Sequence, residues 1–154
     1  MNYNTVIYDN LGNPYNVYVN ILDKIVIEVY KEDKTVSFLR GSDRDNVFLL
    51  DVIYVYSDYR KNGIGSTVLD ILYCFIKNKR IVGNFLPFSM EGFNGTSFNE
   101  LVEESRKFYY SNGFDITSKL LTKDVIDSEY EIVEGKLMKK EGCYEKRIKH
   151  TIPR

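Results

Sequence analysis

Val55-Tyr-Ser-Asp-Tyr-Arg60-Lys-Asn-Gly63-Ile-Gly65-Ser66 is the stretch on which the reading of this chain turns. A run rich in β-branched and aromatic residues, 47–56, leads into it. A helical pattern of Val68, Leu69, Ile71, Leu72, Phe75 and Ile76 follows. The two glycines therefore stand where a strand becomes a helix. A helix N-terminus offers N–H groups without an intrahelical acceptor, and the positive end of its dipole points the same way. That geometry holds phosphate.

Upstream, the chain reads as strands joined by turns. Residues 5–8 are short and apolar, and 9–14 are dense in turn formers. Residues 15–22 alternate, with Val17, Val19 and Ile21 on one face, and Asp23-Lys24 closes a hairpin into 25–30. A polar turn, 31–34, leads to a strand over 36–39, and a loop over 41–46 precedes the strand 47–56. Downstream, the helix after the glycines runs to about residue 78, and 80–86 reads as a buried strand parallel to 47–56. A long loop, 87–98, holds Gly92, Gly95 and three Phe residues. Ser97-Phe-Asn-Glu100 fits a capping box for a helix to about residue 112, with Leu101, Val102, Ser105, Phe108 and Tyr109 on one stripe and Gly113 beyond its end. Residues 114–117 and 135–140 read as closing strands, with 120–134 irregular between them. The expectation is mixed α/β: one domain over 1–141 and a basic tail over 142–154.

The bulk properties bound the function. A chain of 154 residues that is 44% apolar builds a normal core. Its net charge of −1 argues against a generic nucleic-acid surface. Residues 136–154 carry seven basic and two acidic side chains, read either as a solvated tail or as a dock for an acidic partner. Cys74 lies in an apolar helix and behaves as a small hydrophobe. With Cys143 and the single His150 it forms no zinc pattern and no disulfide framework. No segment has the length of a membrane span, and the N-terminus lacks a secretory pattern, so the expected compartment is the cytoplasm.

Two segments together carry a resemblance. The glycine turn matches an Arg/Gln-x-x-Gly-x-Gly/Ala signature, and Phe108-Tyr-Tyr-Ser-Asn-Gly-Phe114 matches a Phe/Leu-Tyr-x-x-x-Gly-Phe signature. In this order, with a strand between them, they resemble the GNAT superfamily of acetyl-CoA-dependent N-acetyltransferases. The resemblance implies an N-terminal antiparallel meander, a central splayed parallel strand pair and two main helices. It implies acetyl-CoA as acetyl donor, an amine acceptor (a small molecule or a protein amine), direct attack in a ternary complex, and no metal. Ile53, Tyr54 and Val55 are then expected to pair with the pantetheine arm. Arg60, Lys61, Asn62, Gly63, Ile64, Gly65 and Ser66 are expected to wrap the pyrophosphate, the glycines because a Cβ would obstruct phosphate oxygens. Tyr109 matches the tyrosine that acts on the departing sulfur. A phenol near 10 faces a thiol near 8.5, so full proton transfer is uphill by about 2 kcal/mol and the hydroxyl serves chiefly as a donor. Asp51 is the candidate general base, placed by alternation on one face with Ile53 and Val55, with Glu28 and Glu91 as weaker alternatives.

Two departures from the family matter. Val102 stands seven residues before Tyr109, where many members carry an Asn; Asn99 is the nearest substitute. The helical pair that usually roofs the acceptor site between the first two strands is missing. That leaves acceptor choice to the 87–98 loop, the early hairpins or a second subunit. A CoA-binding or partner-binding module without turnover is the alternative function. The acceptor itself, the oligomeric state and the role of the tail are not legible in the sequence.

Overall fold

The computed structural model describes residues 1–85, 91–92, 97–117 and 119–141. Most of the 87–98 loop and the whole 142–154 tail, with Cys143 and His150, lie outside the described residues.

Alternating apolar residues draw the first five strands into an antiparallel meander: β1 (Asn2–Tyr8), β2 (Pro14–Ile21), β3 (Ile25–Lys31), β4 (Lys34–Asp43) and β5 (Val47–Val55). Tyr15, Val17 and Val19 of β2 and Ile25, Ile27 and Val29 of β3 are buried, while their neighbours on the other face are half-buried or exposed. A short 3-10 turn, Ser57–Tyr59, then leads to α1 (Ile64–Phe75), β6 (Arg80–Asn84), α2 (Phe98–Ser111), β7 (Asp115–Thr117) and β8 (Leu120–Asp124). The eight strands lie in the order β1-β2-β3-β4-β5-β6-β8-β7, with β5 and β6 parallel. A separate two-stranded hairpin, β9 (Tyr130–Val133) with β10 (Lys136–Lys139), packs against α1 and β1. Nine of the twelve residues of α1 are buried, so it is the central helix of the core rather than an amphipathic surface helix.

The mixed α/β sheet, the meander, the parallel pair and the two helices are as expected. Three boundaries are not. β4 runs on through Asp43, into the segment expected to be loop, because Gly41 lets it pass the Phe48 ring where any Cβ would collide. Residues 120–134 are not irregular: β8 inserts between β6 and β7, and β9 forms a hairpin. Its tight turn needs positive φ at Glu134 (51°) and Gly135 (78°). The strand expected near 135–140 accordingly closes this hairpin and not the main sheet.

The pairing of β4 with β5 contains a bulge. Leu39 opposes Ile53 and Gly41 opposes Leu50, two steps on β4 against three on β5. Leu50 and Ile53 therefore share a face, and the simple alternation expected to align Asp51 with Ile53 and Val55 is broken at Asp51.

The ends of α2 are firmly set. Ser97 Oγ accepts from the Glu100 N–H at 3.1 Å. At the other end Gly113 (φ 83°) allows the Phe114 N–H to return to the Tyr109 carbonyl at 3.0 Å. The helix seats against α1 at Gly65, where an added Cβ would lie 2.7 Å from the Phe108 ring. Gly65→Ala is expected to cost about 1–3 kcal/mol by overpacking. Adding Phe108→Leu should recover part of that loss, a coupling that equilibrium urea unfolding of the double-mutant cycle reads directly.

A buried polar cluster pins the chain entering β9 to α1. Ser128 Oγ donates to the Asp70 carbonyl at 2.6 Å, and the Glu129 N–H donates to Asp70 Oδ1 at 3.1 Å, while Asp70 Oδ2 and the Tyr73 hydroxyl are buried without partners. Burial raises the Asp70 carboxyl above its ordinary range, outweighing the Glu129 N–H bond that lowers it. A raised carboxyl favours the protonated folded state, so its contribution to stability declines as pH rises from 3.8, its ordinary value, through the folded value. Asp70→Asn should remove that slope and leave stability at neutral pH equal or higher. Asp70→Ala, which orphans the Glu129 N–H, should lose about 1–3 kcal/mol. Thermal melts from pH 3.5 to 7 distinguish the two.

Candidate functional site

A cavity of about 610 Å³ lies between β5, the glycine turn and α2. It exists because two strands part. The β5–β6 ladder runs only from Val47↔Arg80 to Leu50↔Gly83, whereas β5 continues to Val55. The Tyr56 N–H is bonded to Val36 on the β4 side. By alternation, Ile53 and Val55 turn their main-chain groups to the opposite side, into the gap. All three of the residues expected to offer a strand edge, Ile53, Tyr54 and Val55, line the cavity. Tyr54 departs from the expectation: alternation turns its main chain to β4, where its carbonyl accepts from Ser37 Oγ at 2.8 Å.

The glycine turn closes one end. Lys61 (φ 64°) and Gly63 (φ 85°) both adopt left-handed backbone, and Gly63 is the N-cap of α1 with no side chain capping it. The first helical bond is from the Thr67 N–H to the Gly63 carbonyl, so the N–H groups of Ile64, Gly65 and Ser66 have no helical acceptor. Arg60, Lys61, Gly63, Ile64, Gly65 and Ser66 all line the cavity. Asn62 does not: its carbonyl accepts the Asn10 N–H at 2.9 Å, which ties the β1–β2 turn to the glycine turn. Asp9 organises that β1–β2 turn by accepting from the Leu11 and Asn13 N–H groups and the Tyr15 hydroxyl.

The glycines have packing reasons of their own. A Cβ at Gly63 would lie 2.6 Å from Asn10 Oδ1, and one at Gly65 would meet Phe108. Close approach of protein to protein thus requires these glycines before any ligand is considered. Arg60 is also engaged internally. Its Nε donates to the Val55 carbonyl at 2.7 Å, one terminal nitrogen donates to the Tyr54 hydroxyl at 3.0 Å, and Glu91 lies 3.6 Å away.

Tyr109 lines the cavity wall on α2. Its ring is wedged against Phe85, Phe108 and Phe114 at centroid distances of 6.1, 5.3 and 5.3 Å. Burial pushes the phenol up to about 12, and its hydroxyl has no hydrogen-bond partner among the described residues. Tyr110, by contrast, is exposed. Val102 is half-buried at the edge of the core, and Asn99 is exposed at the start of α2.

Asp51 lines the end of the cavity away from the glycine turn. It is partly exposed, and its Oδ2 bonds Lys24 Nζ at 2.8 Å with Arg40 Nε 3.9 Å away. Glu28 sits elsewhere, accepting from the Tyr30 hydroxyl. Glu91 accepts from the Tyr54 and Ser57 hydroxyls and the Ser57 N–H, outside the cavity wall. Sequence reasoning did not anticipate Lys24 and Arg40 beside Asp51. Their convergence depends on strand register, which no motif records. Among the described residues no three of His, Cys, Asp and Glu are grouped as metal ligands, and no helix is long and apolar enough to cross a membrane.

No protein-family model matches the sequence, and no curated protein matches it. Solved structures do match by fold. A PaiA N-acetyltransferase from Thermoplasma acidophilum, in complex with coenzyme A, aligns with a TM-score of 0.53 at 18% identity, over 67% of this chain and 62% of its own. An aminoglycoside 6'-N-acetyltransferase, also complexed with coenzyme A, gives 0.52 at 18% identity, over 68% and 74%. The ribosomal-protein-S18-alanine N-acetyltransferase from Escherichia coli gives 0.51 at 12% identity, over 71% and 74%. The parallel pair that opens beside an uncapped helix N-terminus is thus set in a chain with the fold of the GNAT N-acetyltransferases.

Proposed function

We propose that this chain is an N-acetyltransferase that moves an acetyl group from acetyl-CoA to an amine by direct attack, with both substrates bound together. The observation that carries the reading is one continuous cavity. It joins an uncapped helix N-terminus, an open strand edge and the hydroxyl of the half-buried Tyr109. Coenzyme A in two of the matched structures supports the choice of donor.

The residues present fit that donor. The N–H groups of Ile64, Gly65 and Ser66, with the helix dipole and Lys61, would hold the diphosphate. The main-chain groups of Ile53 and the Val55 N–H would extend the sheet along the pantetheine amides, as an added strand does. The Val55 carbonyl is less available, because Arg60 already occupies it. Bound there, acetyl-CoA supplies an activated acetyl group and a thiolate leaving group.

Tyr109 is then a donor rather than an acid. With the phenol at about 12 against a thiol near 8.5, complete proton transfer is uphill by about 5 kcal/mol. Its hydroxyl therefore stabilises charge developing on sulfur by hydrogen bonding, held in place by a ring packed on Phe85, Phe108 and Phe114. Asp51, alone or through water, takes the proton lost by the attacking amine. Neither Cys serves as a nucleophile in this scheme, and burial raises the Cys74 thiol, which keeps it unreactive.

A second reading, a coenzyme A-binding module without turnover, draws on the internal engagement of Arg60 and on Val102. Thermal-shift titration with coenzyme A and a thiol-release assay separate the two. Ligand at about 100 times its dissociation constant should stabilise the fold by about 2.7 kcal/mol, several degrees in melting temperature. Tyr109→Phe should retain that shift yet lose about 10²-fold in kcat. Asp51→Asn should lower turnover and displace the acid limb of the pH–rate profile. A full thermal shift with no thiol release over a broad amine panel would leave only the binding module.

A further inference from the structure

We infer that Lys24, Asp51 and Arg40 form an acceptor-recognition element for an amine that carries a carboxylate or phosphate within a few bonds, such as a free amino acid. The inference rests on the transferase reading above and adds the acceptor's chemistry to it.

The placement comes first. Asp51 lines the cavity four residues before Val55, about 13 Å along an extended strand from the start of the glycine turn. A donor whose diphosphate sits on that turn would direct its acyl end toward Asp51. The meander joins β2 to β3 through a tight turn in which the Leu22 N–H donates to the Lys24 carbonyl at 3.1 Å. That turn brings Lys24 to Asp51.

The arrangement of charge comes second. Both cations converge on a single carboxylate oxygen: Lys24 Nζ lies 2.8 Å and Arg40 Nε 3.9 Å from Asp51 Oδ2. Oδ1 has no hydrogen-bond partner among the described residues. The terminal nitrogens of Arg40 make no hydrogen bond there either. One open anionic acceptor thus stands in the cavity wall, and one open cationic fork stands beside it, just outside that wall.

An amine can dock on Oδ1 without displacing Lys24. A bare cation, however, adds a third positive charge beside two that share one carboxylate. An acceptor with its own anion avoids this, because the anion takes the Arg40 fork bidentately while the ammonium takes Oδ1. The same element therefore disfavours polyamines and favours zwitterions. It also fixes the amine's position relative to Asp51, the group proposed to receive its proton.

The test is a matched panel in the thiol-release assay with acetyl-CoA. Free amino acids are compared with their amides and with their decarboxylated amines, alongside phosphoethanolamine against ethanolamine and a polyamine. The anion-bearing member of each pair should have at least a tenfold higher kcat/KM, expressed mainly in KM, and the polyamine should be poor. Which anion gives the larger ratio identifies its chemistry. In the Lys24→Met/Arg40→Met double variant the ratio should fall toward one. Arg40→Lys should retain part of the ratio, which a merely structural role would not predict. Equal rates within pairs, polyamine preference, or an unchanged ratio in the double variant would overturn the assignment. So would a coenzyme A thermal shift with no turnover of any amine carrying a carboxylate or phosphate. Loss of the thermal shift itself would instead remove the transferase reading, and this inference with it.

Discussion

The parting of β5 from β6 is the constraint on which the rest of the molecule depends. The parallel pair is held over only four residues on each strand, and the bulge at Asp51 begins immediately after the last pairing, Leu50 with Gly83. A bulge adds local twist and bends the strand that carries it. β6, meanwhile, stays with β8 through Leu121 and Leu120. One strand is turned away while its neighbour is retained by another partner, and the gap follows. Main-chain groups at a gap demand hydrogen bonds as strongly as those in a ladder do. A long, amide-bearing ligand satisfies them without any side chain being dedicated to it.

Much of this was legible in the sequence because local patterns carry it. The alternation of Val17, Val19, Ile25, Ile27 and Val29, the glycine turn, the Ser97 cap and the Gly113 terminus are each decided within a few residues. What was not legible depends on register and long-range packing. β8 buries Leu121 and exposes Leu120, so its five residues show little period-2 signal. The β9–β10 turn uses Glu134 in left-handed backbone, a conformation glutamate seldom signals. The bulge at Asp51 has no local mark beyond Gly41 on the facing strand.

The candidate site divides along the same line. The residues expected on the cofactor side come from one contiguous motif, and all but Asn62 reach the cavity wall. The reason for the glycines was incomplete from sequence: Gly63 abuts Asn10 and Gly65 abuts Phe108, so the two segments that carry the resemblance are also in contact with each other. Phe108 precedes Tyr109, and the seating of Phe108 on Gly65 helps fix where the neighbouring hydroxyl lies. Motifs of this kind are then as much a packing unit as a binding unit.

Electrostatics give the cavity a direction. At the glycine turn the helix dipole, the open N–H groups and Lys61 create a positive end. At Asp51 the carboxylate is flanked by two exposed cations, so its field on the interior is partly neutralised. An isolated carboxylate there would attract any cation, including the ammonium form that cannot attack a thioester. A carboxylate already balanced by Lys24 and Arg40 holds a protonated amine less tightly, and it lowers the cost of releasing that amine in its neutral form. The ion pairs at Asp51 bear directly on the role in proton removal proposed for it. They set how strongly it binds the conjugate acid of the nucleophile, and a base that binds the ammonium too well would hold the acceptor in its unreactive state.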